Sequence, residues 1–337
     1  MKYTVTAPTR IDLAGGTLDL HPLYLFLERP LTINASLNLR SMASVTPLPG
    51  TKVVLHSLDL GQTIEANHPD ELKTGETLDL LVRAVKFYAP LGGFELTTKS
   101  SAPKGSGLGA SSSLLMSISK ALCDFTGEEY SRHDIIHFGA AIEAQNLGIP
   151  TGFQDYYGAW LGGINGLAFG IEETEIRAFK PSADFKKLLD DSLVVSFTGV
   201  SHFSGTNNWN MLKRFIDKEG DTVERMLAIQ DTAHELWKAL VREDMDALAS
   251  SLNKEWDNRR GLAEGVSTPA IDKMMLNAKN AGAMASKLCG AGGGGCMMTI
   301  AAPGKREAVI EALRSSGAEI LNAAIDEKGL TSEVINV

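Results

Sequence analysis

Between residues 102 and 113 the chain reads Ala-Pro-Lys-Gly-Ser-Gly-Leu-Gly-Ala-Ser-Ser-Ser, with glycine at every second position from Gly105 to Gly109. Before it, Phe94, Leu96 and Thr98 alternate with polar residues in a strand pattern. After it, Leu114, Leu115, Ile118, Ala121, Leu122 and Phe125 recur at helical spacing from about Ala110 until Gly127 closes the helix. Glycine lets backbone approach an anion closely, and successive N–H groups can form a nest around it. The head of a helix adds free donors and the positive end of its dipole. Pro103, Lys104, Gly105, Ser106, Gly107, Leu108, Gly109, Ala110, Ser111 and Ser112 therefore read as a phosphate cradle. In it Lys104 adds charge at the rim, and the serines cap the helix or offer a hydroxyl to magnesium. The plain alternative is a flexible loop with serine caps. Gly105, Gly107 and Ala110 also satisfy GxGxx(G/A), but that fingerprint belongs to a first βαβ unit, and many strand-like residues precede it here. A GxxxxGK(S/T) loop is absent. Phosphate is the favoured ligand, and the motif alone does not name the nucleotide.

Composition narrows the class. A chain of 337 residues with 44% hydrophobic and 22% charged residues predicts a globular protein of two domains. The acidic, proline-containing segment 171–190 is the expected boundary, giving domains 1–180 and 181–337. A net charge of −9 argues against coating nucleic acid or an anionic membrane. No apolar run approaches the roughly 20 residues of a spanning helix, and the first residues lack a signal-peptide core. Cys123, Cys289 and Cys296 show no metal-type spacing, so reduced thiols and a cytoplasmic location are expected.

The remaining pattern predicts a strand over 2–7, a loop over 8–20, and strands over 31–45 and 52–57. A helix is predicted over 132–147, capped by Ser131 and Asp134, and a strand over 166–170. A strand over 193–198 opens the second half, followed by helices near 221–241 and 243–256. Thr268-Pro269 starts another helix, ending at Gly282. The tail reads strand 283–289, glycine turn, strand 296–301, helix 304–316 and strand 331–336, a β-β-α-β ending of an α+β sandwich.

Four further places could carry chemistry. Glu143 lies near the negative end of its helix, and Asp155 sits in an aromatic stretch read as a loop, where burial would require a cation or hydrogen bonds. Their spacing fits a metal ligand and a base equally as well as a surface Glu and a turn Asp. The run Gly290-Ala291-Gly292-Gly293-Gly294-Gly295 is far more glycine than a hairpin needs, which points to close approach to a ligand or to the other domain. Arg10 is a lone cation in an apolar run, and Thr17 and Asp19 follow a Gly-Gly turn and could bind a polyol. His133 and His137, without the glutamate of HExxH, read as exposed helix residues, and His202 is isolated.

Taken in order, Ala7–Asp19, Pro103–Ser113, Glu143–Asp155 and Lys287–Cys296 resemble the motif set of the GHMP kinases, the superfamily of galactokinase, homoserine kinase, mevalonate kinase and phosphomevalonate kinase. Arg10 with Ala14-Gly15-Gly16 and Asp19, Gln154-Asp155 before Gly162-Gly163-Ile164-Asn165, and Trp256 with Arg259-Arg260 resemble its sugar-kinase branch, which holds heptose 7-phosphate kinases and the fucokinase kinase domain. The resemblance implies an α+β fold of two domains, the first like domain 2 of ribosomal protein S5 and the second ferredoxin-like. It implies ATP and Mg2+ as cofactors, with the glycine loop on the phosphates and Ser111 and Glu143 on the metal. Asp155 would take the proton of a substrate hydroxyl and Arg10 would steady it. Thr17, Asp19, Gln154, Gly292 and Gly293 would meet the substrate, a sugar or sugar phosphate. The implied reaction is transfer of the γ-phosphoryl group to a sugar hydroxyl, such as the anomeric hydroxyl of a heptose 7-phosphate. A mevalonate-type substrate or a non-catalytic sensor on the same fold are the alternatives. No nucleic acid or membrane partner is expected, and a homodimer is left open.

Overall fold

The computed structural model describes the backbone of residues 1–200 and 204–336, and the side chains of all of these except 204–206. The first half runs β1 (Lys2–Ala14), β2 (Leu31–Leu48), β3 (Val53–Ser57), β4 (Gln62–Ala66), α1 (Asp79–Tyr88), β5 (Gly93–Ser100), α2 (Ala110–Thr126), α3 (Arg132–Leu147), α4 (Gln154–Leu161), β6 (Ile164–Phe169) and β7 (Thr174–Phe179). The second runs α5 (Ala183–Ser192), β8 (Leu193–Phe197), α6 (Ser204–Ile216), α7 (Thr222–Val241), α8 (Met245–Arg259), α9 (Pro269–Asn280), β9 (Ala283–Leu288), β10 (Cys296–Ala301), α10 (Arg306–Ser315), β11 (Glu319–Ile320) and β12 (Thr331–Ile335).

The long strand β2 is the spine of the first sheet. Its first residues pair with β6 and its last with β5, while β1 runs antiparallel beside it. Beyond β5 lie β3 and β4, and the pairing of β3 with β5 is parallel. The apolar face of α2 explains its seat on this sheet: Leu115, Ile118 and Leu122 pack into a core with Val5, Val45, Leu55 and Leu96. Its neighbour α3 starts at the expected capping box, Ser131 with Asp134.

In the second sheet the order is β11-β8-β10-β9, all antiparallel. With helices between β8 and β9 and between β10 and β11, this is the split β-α-β-β-α-β arrangement of a ferredoxin-like unit. One apolar core joins the halves: Ile11, Leu13 and Ile33 pack with Val195, Leu236, Leu240, Met298 and Ile300. The residues after β1 are drawn further over, so that Leu18, Leu20 and Leu23 lie in a core with Met211, Met226 and Trp256.

Four expectations need correction. The first strand continues to Ala14 rather than ending at Ala7, because bulges at Pro8/Thr9 and Asp12/Ala14 absorb the proline and shift the register. The strand at the chain's end pairs with β1 in the first sheet, and the short β11 takes its expected place in the second. Segment 171–190, for which the pattern predicts no element, contains β7, paired with β6, and most of α5. Residues 154–161, read as loop, form helix α4.

Candidate active site

The glycine loop approaches the second half of the chain closely. Gly105, Gly107 and Gly109 all have φ of +69°, a left-handed conformation that side chains disfavour. A Cβ on Gly107 would lie 2.6 Å from the carbonyl oxygen of Cys289, so the glycines of both turns let backbone meet backbone. There the Cys296 N–H donates to the Ser106 carbonyl at 2.6 Å. Helix α2 then begins with Gly109 as N-cap and no side-chain cap, which leaves its leading N–H groups facing the cleft. The expected serine caps are thus absent: Ser112 Oγ donates to Glu143 at 2.7 Å and Ser113 Oγ to the Ala7 carbonyl at 2.9 Å.

Lys104, Gly105, Ser106, Gly107, Gly109, Ala110, Ser111 and Ser112 line a cleft of about 340 Å³ together with Arg10, Glu143, Asp155 and Asn208. Pro103 and Leu108 do not line it, and Leu108 is buried in the core. Arg10, buried on β1, donates through Nε to Asp155 Oδ1 at 2.7 Å and through Nη1 to the Gly107 carbonyl at 2.7 Å. Asp155 occupies the first turn of α4, where a carboxylate suits the helix dipole, and its Oδ2 lies over Gly109 at the head of α2. Nearby, Glu143 Oε2 accepts from Ser112 and, at 2.5 Å, from the buried Tyr156 hydroxyl. Burial pushes the Glu143 carboxyl above its ordinary range, against the hydroxyl bonds from Tyr156, Ser112 and Ser111 that lower it.

Does this set suit magnesium? Glu143 is a buried carboxylate held by hydroxyls rather than by a cation, and the exposed Ser111 bonds to it. A hard cation would supply the missing positive charge. No group of three or more His, Cys, Asp or Glu side chains fit for a metal occurs among the described residues.

The cleft continues into a deep chamber of about 40 Å³, lined by Arg10, Asp12, Thr17, Asp19, Gln154 and Asp155 among others. Asp19 is buried and accepts from the Gln154 backbone N–H at 2.9 Å. Gly152 makes this contact possible, because a Cβ there would lie 2.2 Å from Asp19 Oδ2. Burial pushes Asp19 up to about 7, against the Gln154 hydrogen bond, with the charges of Asp155 and Asp12 adding to the rise. Gln154 Oε1 is buried and has no hydrogen-bond partner among the described residues.

Behind the chamber lie four fully buried charges that sequence reasoning did not single out as site residues. Lys287 Nζ stands 3.1 Å from Asp12 Oδ2 and 2.9 Å from Glu255 Oε2. Arg259 donates to Glu255 through Nε at 2.8 Å, to the Gly16 carbonyl at 2.8 Å and to Thr17 Oγ1 at 3.0 Å. Asp12 and Lys287 are charges in mostly apolar runs, whereas Glu255 and Arg259 sit in the charged run 253–260, where nothing in the pattern marks them for burial.

Other sequence candidates are placed differently. Thr17 has φ of +74° and lines the chamber, but its hydroxyl is engaged by Arg259. Gly292 and Gly293 turn to Val266 and line neither the cleft nor the chamber; Gly290 and Ala291 line both. His133 is exposed as expected, but His137 is half-buried, its ring tilted against Phe153 with ring centres 4.8 Å apart. His202 lies outside the described residues. A roomier cavity of about 510 Å³ opens between β7 and α5. Its wall is mostly apolar, and the N–H groups of Gly162 and Gly163 that line it already donate to the Gly158 and Asp326 carbonyls.

The family profile for "GHMP kinases N terminal domain" matches residues 76–163, and that for "GHMP kinases C terminal" matches residues 236–319. The chain is similar to D-glycero-alpha-D-manno-heptose 7-phosphate kinase of Campylobacter jejuni, 28% identical over 332 residues that cover 96% of this chain and 97% of that protein. It is also similar to mevalonate kinase of Methanothermobacter thermautotrophicus, 26% identical over 98% of this chain and 100% of that protein. Its fold matches that of a D-glycero-D-manno-heptose 1-phosphate kinase from Bacteroides thetaiotaomicron with a TM-score of 0.81, at 24% identity over 99% of this chain and 100% of the other.

Proposed function

The chain belongs to the GHMP kinase superfamily, ATP-dependent phosphotransferases acting on small molecules, and within it we propose a sugar kinase that phosphorylates the anomeric hydroxyl of a heptose 7-phosphate or a related sugar. The observation that carries this reading is the acceptor-rich deep chamber. Asp12, Asp19, Asp155 and Gln154 face one small space, with Arg10 already committed to Asp155. Hydroxyl groups donate to such a surface, and a polyol offers several of them to its carboxylate and amide oxygens. Residues 1–180 and 181–337 serve as the two lobes, with β12 crossing back to the first.

In this reading the N–H groups of the glycine loop and of the head of α2 hold the phosphates of ATP. Ser111 and Glu143 hold magnesium, which supplies positive charge to the phosphate oxygens. The sugar hydroxyl gives its proton to Asp155 Oδ2, the oxygen that Arg10 leaves over Gly109. Arg10 keeps the carboxylate oriented and faces the charge on the transferring group. An anomeric hydroxyl is more acidic than an ordinary alcohol, so a single aspartate base is enough. The rest of the rate comes from alignment and charge neutralisation, since phosphoryl transfer asks little covalent chemistry of a protein.

The test is ATP consumption with magnesium against heptose 7-phosphate, free heptoses, fucose, galactose, mannose, N-acetylhexosamines and mevalonate. Turnover on a sugar and none on mevalonate is expected. Turnover on mevalonate alone overturns the sugar reading and leaves the superfamily membership intact.

A further inference from the structure

Asp12 is an acid of the deep chamber to which the reading above assigns no particular hydroxyl. It is fully buried on β1, and all its close contacts are made by one oxygen. Oδ2 faces Lys287 at 3.1 Å and Arg259 at 3.4 Å, while Oδ1 has no hydrogen-bond partner among the described residues. A buried acceptor left unpaired is costly, more so when charged, so a ligand or water normally completes it. Gly16 lets the backbone pack against this carboxylate at the chamber wall: a Cβ there would lie 2.3 Å from Asp12 Oδ2 and 2.9 Å from Gln154 Nε2.

We propose that Asp12 is a substrate-binding residue whose Oδ1 accepts a hydrogen bond from a hydroxyl of the sugar, at a position other than the one phosphorylated. The reacting hydroxyl belongs to Asp155, on the side of the cleft that carries the glycine loop. Asp12 lines the deep chamber but not that cleft, so it meets a part of the acceptor away from the reacting hydroxyl. Lys287 and Arg259 fix the carboxylate from behind, and Glu255 balances them, so the four charges cancel without a cation entering the chamber. Despite its burial, these cations and Arg10 hold the Asp12 carboxyl below its ordinary range. Asp19, by contrast, is pushed up. The chamber thus presents one permanent anion and one acid that changes charge near neutrality.

This proposal rests on the sugar reading, and the experiment separates the two. Steady-state kinetics are measured on the full chain with ATP-magnesium and the sugar of the panel that wild type uses best, comparing wild type, Asp12→Asn, Asp12→Glu and Glu255→Gln. Asp12→Asn is expected to raise the sugar KM roughly 10- to 100-fold, the worth of a hydrogen bond to a charged group, and to leave the ATP KM within about twofold. Asp12→Glu keeps the charge that Lys287 and Arg259 need and pushes a longer side chain into the chamber. It should fold and show the same split, so the proposal stays testable if the asparagine variant does not fold. Glu255→Gln disturbs the same cluster without facing the chamber and is expected to lower stability in urea unfolding while raising the sugar KM less than either Asp12 variant. An unchanged sugar KM in both Asp12 variants overturns the proposal, as does an equal rise in Glu255→Gln, which would make the cluster purely structural. If wild type turns over no sugar, the sugar reading fails first and takes this assignment with it.

Discussion

Arg10 Nε donates to Asp155 Oδ1 across 2.7 Å, tying strand β1 to the first turn of α4 at the point where the cleft narrows into the deep chamber. The same guanidinium bonds the Gly107 carbonyl, so one buried side chain sets the distance between the phosphate loop and the carboxylate. Arg10→Met is expected to lower kcat roughly 100-fold or more, on the scale of losing one preorganised donor to developing charge. ATP affinity should change far less. A kcat within about fivefold of wild type would remove Arg10 from the reaction.

Gly107 cannot be replaced without moving the two turns apart. Alanine there would need a φ of +69° and would place its Cβ 2.6 Å from the Cys289 carbonyl oxygen. The expected result for Gly107→Ala is a loss of about 2 kcal/mol or more in urea unfolding, with ATP binding weakened in parallel. Gly127, also at positive φ but with nothing within 4 Å of a built Cβ, is the control: Gly127→Asn should retain ATP affinity.

Asp19 gives the protein a pH signature. Its folded carboxyl is pushed up to about 7, while in the unfolded chain it ionises near its ordinary value of about 4. Between those values the folded state holds the extra proton. Its stabilising contribution is therefore complete below about pH 4 and is lost as pH rises through 7. The loss is on the order of a few kcal/mol, caused first by burial. Asp19→Asn should remove it, making the variant more stable than wild type at pH 8 relative to their difference at pH 5 in thermal unfolding. Sugar binding by wild type should tighten from pH 6 to pH 8, as the ionised acid is the better acceptor.

The buried charges behave as a unit. Arg259→Met leaves Glu255 short of a partner, and such a loss costs about 3–5 kcal/mol. Adding Glu255→Gln to that variant should recover part of the loss, because it removes the orphaned charge. Urea unfolding of the two singles and the double gives the coupling. Strict additivity would show that the four residues do not share one network.

The phosphate loop was legible because its physics is local. Alternating glycines followed by a helix head at Ala110 require no distant partner to be recognised, and the Ser131–Asp134 box is equally local. Glu143 and Asp155 carried no such signal in spacing alone. What unites them with Arg10 is the packing of α3, α4 and β1, and that tertiary contact also turned an aromatic stretch into helix α4. Asp12 and Lys287 are 275 positions apart, and neither residue type in its own run announces the other. The destination of β12 was hidden for the same reason, since its alternating pattern suits any sheet edge and only β1 determines which one it joins.

The central claim is that Asp155, steadied by Arg10, takes the proton of a sugar hydroxyl during phosphoryl transfer. Phosphorus NMR of reactions with ATP-magnesium and heptose 7-phosphate, run with wild type and Asp155→Asn at matched ATP occupancy, tests it most directly. The account predicts a new anomeric phosphate signal from wild type and a rate roughly 1,000-fold lower in the variant. An anomeric phosphate formed at an undiminished rate by Asp155→Asn would contradict it.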